Sequence, residues 1–126
     1  MQMLKLISDL LIILVAIEAL FIMGLEMFGN QSKLAQNAFH VSANYLAQPE
    51  ARTSMANQGL YNGFIGVGIL LGRFAFPGDA VYPTLLLFIS FVVVAAIFGA
   101  LTANKQILLT QGAPAIVALV LLIWAH

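Results

Sequence analysis

The sequence contains no cysteine, which excludes disulfides, thiolate metal sites and cysteine nucleophiles. Charge is scarce as well: five basic and five acidic side chains cancel, and charged residues make up only 8% of the chain. A soluble domain of this length needs far more charge on its surface. The zero balance also excludes nucleic acid, or any partner recruited by net charge. What is present instead is apolar bulk, 62% of 126 residues, with a mean hydropathy of +1.00. That composition predicts an integral membrane protein whose main partner is the lipid bilayer.

The apolar runs predict an all-α, polytopic membrane protein: a single domain over 1–126, built as an antiparallel four-transmembrane-helix bundle. The first span is expected over residues 4–28. At ~1.5 Å per residue it reaches about 37 Å, enough to cross with some tilt. It outruns the apolar core of a signal peptide, so it is expected to stay in the membrane. The later spans are expected over 56–76, 82–103 and 107–125. Between the first two, residues 32–49 carry Leu34, Ala38, Val41 and Tyr45 at helical spacing among polar neighbours. This predicts an amphipathic helix on the membrane surface. His40 in that segment reads as a surface histidine, because no second histidine lies near it in the chain.

Within the spans a few residues break the apolar pattern. Asp9 reads as interfacial and Arg73 as snorkelling to the membrane surface. Pro83 is expected in the first turn of the third span. Pro114 removes an amide donor and is expected to free the Thr110 carbonyl beside Gln111. The basic residues divide three to two between the two sides, Lys33, Arg52 and Lys105 on the loop side against Lys5 and Arg73 on the side of the termini. The balance slightly favours the loop side as cytoplasmic.

The stretch Ala56-Asn57-Gln58-Gly59-Leu60-Tyr61-Asn62-Gly63-Phe64 opens the second span. At about 100° per residue, Asn57, Gln58, Tyr61 and Asn62 share one helix face while Gly59, Gly63 and Gly66 share the opposite one. The glycine face, joined by Gly99 on the third span, is expected to pack closely against other helices. The polar face finds no water in lipid and is expected to face protein or a wet cavity.

Glu18 sits near the centre of the first span, where an ionised side chain costs at least ~2.5–3.5 kcal/mol. It is therefore expected to be protonated at neutral pH and to donate a hydrogen bond. Glu26 lies about 12 Å further along the same helix, too far for a shared-proton pair. Convergence is the cheapest way to satisfy all these groups. Glu18 and Glu26, with Asn57, Gln58, Tyr61 and Asn62, are expected to line one polar pocket closed by Thr102 and Gln111.

Leu25-Glu26-Met27-Phe28, the Asn57–Phe64 string, Gly99 with Thr102, and Gln111 with Pro114-Ala115 together resemble the domain-of-unknown-function family 1304. The resemblance covers nearly the whole chain and implies a small four-span protein of the bacterial cell membrane. The family pattern often carries a histidine seven residues before the motif glutamate, where this chain has Ala19.

The pocket predicts a small carrier or binding protein for a small solute, coupled to protons, with no cofactor or metal. The alternatives are a membrane-embedded enzyme acting on a lipid by general acid/base chemistry, and an assembly factor for another membrane protein. The lack of a core histidine and of a second close acid weighs against the enzyme. A carrier requires a cavity reaching one aqueous face or a homodimer interface beside Glu18. A lipid enzyme requires a lateral opening beside the acids.

Overall fold

A computed structural model describes residues 1–126, all in helices and short connections without a strand. The first helix, α1 (Gln2–Met27), is an apolar run with no proline. It stops at Phe28-Gly29, whose amides bond back to the Gly24 carbonyl at 3.0 and 3.1 Å. The Asn30 side chain donates to the Glu26 carbonyl at 2.9 Å, satisfying another terminal acceptor.

The amphipathic segment does not form one helix. It divides into α2 (Lys33–Phe39) and α3 (Ala43–Leu46), each started by a serine. Ser32 Oγ accepts from the Ala35 amide and Ser42 Oγ from the Tyr45 amide, both at 3.1 Å. A serine hydroxyl can accept from an otherwise open amide at a helix start but not inside a helix, so Ser42 begins a new turn. His40 ends α2 in the left-handed conformation, with φ 55°.

α4 (Pro49–Phe74) starts ahead of the expected span because Pro49 is suited to a first helical turn and Glu50 favours the positive end of the helix dipole. α5 (Gly78–Thr102) likewise starts early, at the Pro77-Gly78-Asp79 turn, so Pro83 lies inside the helix rather than in its first turn. The last span has two parts: a π-turn over Leu108–Gly112 and α6 (Ala113–Ala125). The Ala113 amide bonds to the Leu108 carbonyl five residues back. The widened turn lies directly ahead of Pro114, where the proline removes an amide donor from the helix.

Three of these helices, Gln2–Met27, Gly78–Thr102 and Leu108–Ala125, are long and apolar enough to cross a membrane. α4, diluted by Asn57, Gln58, Asn62 and its terminal charges, is not one of them. It packs antiparallel to α1. Gly59 lies against Met27, Gly66 against Ala16 and Leu20, and Arg73 against Asp9. α4 and α5 are also antiparallel, with Gly68 under Phe88 and Gly72 against Thr84. α6 returns beside α5, so that His126 stacks on Tyr82 with ring centroids 3.4 Å apart.

The apolar core occupies the half nearer the chain termini. Ile12, Val15 and Ala16 meet Ile69, Leu85, Ile89, Ala115, Ala118 and Leu122 there. The other half, toward α2 and the α5–α6 connection, is where the polar residues gather.

The glycine contacts differ in what they tolerate. A Cβ on Gly66 would lie 2.9 Å from the Ala16 carbonyl oxygen and 2.8 Å from Leu20 Cγ. A Cβ on Gly63 would meet the flexible end of Met23. Gly66→Ala is expected to cost about 1–3 kcal/mol through overpacking. Gly63→Ala is expected to stay near neutral, because Met23 moves aside and alanine favours the helix by ~0.5–1 kcal/mol. Melting of the detergent-purified variants checks this; equal melting points would contradict it. Gly99 has a looser neighbour, with Ile107, at the start of the last helix, 3.4 Å from its would-be Cβ.

Candidate functional site

A cavity of ≈ 500 Å³ fills the loop-side half between α1, α4, α5 and the π-turn. α1 supplies Glu18 and Glu26, two turns apart on the helix face that turns toward α4 and the last helix. α4 supplies Gln58 and Asn62, and the π-turn supplies Gln111. Asn62 Nδ2 donates to Glu26 Oε1 at 2.6 Å, tying α4 to α1 across the cavity wall. Glu26 is only 1% exposed. The close approach of α4 at Gly59, where a Cβ would fall 2.9 Å from Glu26 Cβ, brings Asn62 within reach of that carboxyl.

Glu18 lies deeper. It lines both this cavity and a smaller recess of ≈ 50 Å³ that reaches Val15 and Val92, with Asn62 and Gln111 shared between them. No side chain donates a hydrogen bond to Glu18. The opposite limit of the cavity is polar: Asn37 and His40 from the end of α2, and Asn104 and Gln106 from the α5–α6 connection. These short connecting segments form its rim on the loop side.

Three residues expected at the pocket lie elsewhere. Asn57 is exposed and donates to the Thr53 carbonyl of its own helix at 2.8 Å. Tyr61 is 71% exposed. Thr102 is exposed and donates to the Phe98 carbonyl at 2.7 Å. The reason is angular. The four polar residues of α4 spread over about 140° of its circumference. Only the edge beside the glycines, Gln58 and Asn62, turns toward α1. Along α5 and its C-cap the cavity takes Ala95, Gly99 and Ala103, four residues apart, and Thr102 falls off that line.

His40, Asn37, Asn104, Gln106 and Thr110 line the cavity without being expected there. Ser32 and Ser42 carry the signal that finds the first two, since two N-cap residues ten apart predict a break that leaves His40 at a helix end.

At the other end, Asp9 and Arg73 form a bidentate ion pair, Nε to Oδ1 at 2.9 Å and Nη2 to Oδ2 at 2.6 Å. Instead of standing separately at the interface, they clamp α1 to α4. A cleft of ≈ 330 Å³ beside them is lined by Lys5, Ser8, Tyr82 and His126. The two ends of the structure are thus unlike: one carries an ion pair and a charged cleft over an apolar core, the other a larger cavity rich in amides.

A family model described as "Protein of unknown function (DUF1304)" matches residues 13–123. The chain is similar to the "Uncharacterized protein YpaA" of Lactococcus lactis subsp. lactis, 39% identical over 111 residues, covering 88% of this chain and 92% of that protein. No solved structure gives a significant match.

Proposed function

The chain belongs to the DUF1304 family of proteins of unknown function, and from its geometry we propose a small carrier or binding protein that handles a small polar solute together with a proton. It sits in the bacterial cell membrane as four antiparallel spans, with α4 completing the three apolar helices. The polar residues of α4 do not argue against a span, since Gln58 and Asn62 face the cavity and Phe64 and Leu71 are exposed on its outside. Exposed Leu10, Phe21, Leu87, Phe98 and Trp124 give the neighbouring helices the same apolar exterior. The short helices α2 and α3 lie on the loop-side surface.

The observation that carries the reading is the cavity of ≈ 500 Å³ in which Glu18, Glu26, Gln58, Asn62 and Gln111 meet. Its volume falls in the range of small-molecule sites, and its inner polar groups come from three different helical segments. Its rim of Asn37, His40, Asn104 and Gln106 lies at one end of the helices, as a solute path to one aqueous face requires. Glu18, innermost of the carboxyl groups, is the proton site. A second reading rests on His40, because an imidazole and carboxyl groups around one cavity are what general acid/base chemistry on a lipid uses.

Proteoliposomes with an internal pH dye test the first reading. A panel of small cationic, zwitterionic, neutral and anionic solutes is added outside, and at least one class is expected to drive proton movement. Proton movement with none of them would contradict a proton-coupled carrier. Conversion of a membrane lipid by the purified protein would favour the enzyme.

A further inference from the structure

We infer that the solute taken by this cavity is a small organic cation, an ammonium group on a compact apolar body, with the Glu26 carboxylate as its counter-charge. The inference rests on the reading of the cavity as a solute site and adds the class of solute.

The first argument is the charge inventory. Glu18 and Glu26 line the cavity, and no lysine or arginine does. The only other ionisable lining group is His40 at the rim. Arg73 is held by Asp9 near the opposite ends of α1 and α4, and Arg52 donates to Gln31 Oε1. An anionic solute would meet two acids and no lysine or arginine to offset them. A buried carboxylate, by contrast, is costly until a cation joins it.

The second argument is the donor deficit. A carboxylate offers about four acceptor sites on its two oxygens. Glu26 receives one side-chain donor, from Asn62 to Oε1, and none reaches Oε2. No fully occluded polar atom is left unpaired, so Oε2 of this residue, 1% exposed overall, opens on the cavity. Glu18 receives no side-chain donor. Because Asn62 spends its amide nitrogen on Glu26, its Oδ1 is left as an acceptor. The two carboxyl groups are therefore left with open acceptor sites, Glu26 Oε2 and both oxygens of Glu18, the complement of a primary ammonium with three N–H groups.

The third argument separates an organic cation from a metal ion. No group of three or more His, Asp or Glu side chains is close enough to hold a metal. Phe21, Ile22, Leu25 and Phe39 supply apolar stretches of the wall among the amides. A hydrocarbon body fits them, and the ring faces favour a neighbouring ammonium.

Calorimetric titration of the full-length protein in nanodiscs at neutral pH tests this with three ligands of matched shape: benzylamine, benzyl alcohol and benzoate. The protonated amine is expected to bind at least tenfold more tightly than the alcohol, and benzoate not to bind. Glu26→Gln keeps the acceptor for Asn62 and removes the charge. It is expected to reduce the tenfold preference for the amine over the alcohol to near parity. Equal or tighter binding of alcohol or benzoate, an amine preference that survives Glu26→Gln, or no binding of the amine would each overturn the inference. The liposome assay keeps the two readings apart. If the alcohol moves protons and the amine does not, the carrier stands and the cation falls. If the amine binds with the stated preference but moves no protons, the cation stands and the carrier falls.

Discussion

Glu18→Gln is expected to leave the protein folded and to reduce solute-driven proton movement to the level of empty liposomes. Glutamine matches glutamate in shape and retains hydrogen-bonding capacity, so the packing of α1 beside the inner recess is kept. What it removes is the one property that coupling needs, a proton that can leave and return. Glu18 is suited to that role by position. It is the carboxyl group that lines both the main cavity and the recess behind it, and no side chain donates to it and fixes its charge state. Glu18→Asp, which retains a titrating carboxyl one methylene back, is expected to keep part of the activity. Proton movement by Glu18→Gln above the empty-liposome level would remove Glu18 from the mechanism.

Asn62→Leu is expected to give the largest loss of stability among single changes in the cavity wall. Glu26 is 1% exposed and receives its side-chain hydrogen bond from Asn62 alone. Removing that donor leaves a buried acceptor unpaired, which costs about 1–3 kcal/mol, and more where the group is charged. The double variant Glu26→Leu with Asn62→Leu removes both partners together. Replacing a buried polar pair by apolar groups of similar size is often nearly neutral. Its stability is therefore expected to return close to the wild type. Denaturant or thermal unfolding of the four proteins completes the cycle. A double variant no more stable than Asn62→Leu would show that the pair holds the helices together by more than its own hydrogen bond.

Much of the architecture was legible in the sequence because lipid enforces simple rules. Long apolar runs mark α1, α5 and the last helix, and the glycines of α4 mark the face that meets α1. The acids Glu18 and Glu26 and the amides Gln58, Asn62 and Gln111 stand out because each is expensive in hydrocarbon, and the structure brings them to one cavity. What was not legible depended on finer geometry. A stripe about 140° wide reads as one face, yet a groove between two helices uses only part of it, which leaves Asn57 and Tyr61 outside. The partnership of Asp9 with Arg73 joins residues 64 positions apart, and only the antiparallel register of α1 and α4 brings them together. The second glycine contact, Gly68 and Gly72 against α5, was hidden because these glycines fall on a different side of α4 from Gly59 and Gly63. His40 is exposed, as a surface histidine should be, but an expected continuous helix concealed the break that carries it to the cavity rim.

The central claim is that Gln58 and Gln111 face a water-accessible cavity entered from the loop side, while Tyr61 faces lipid. The chain has no cysteine, so each introduced cysteine is the only target for a membrane-impermeant methanethiosulfonate reagent. Gln58→Cys and Gln111→Cys are expected to react from the same side of the membrane as Lys33→Cys and Lys105→Cys. Asp79→Cys is expected to react only from the other side, and Tyr61→Cys from neither. Tyr61→Cys labelling as fast as Gln58→Cys, Gln111→Cys silent from the loop side, or positions 33 and 105 on opposite sides would contradict the account.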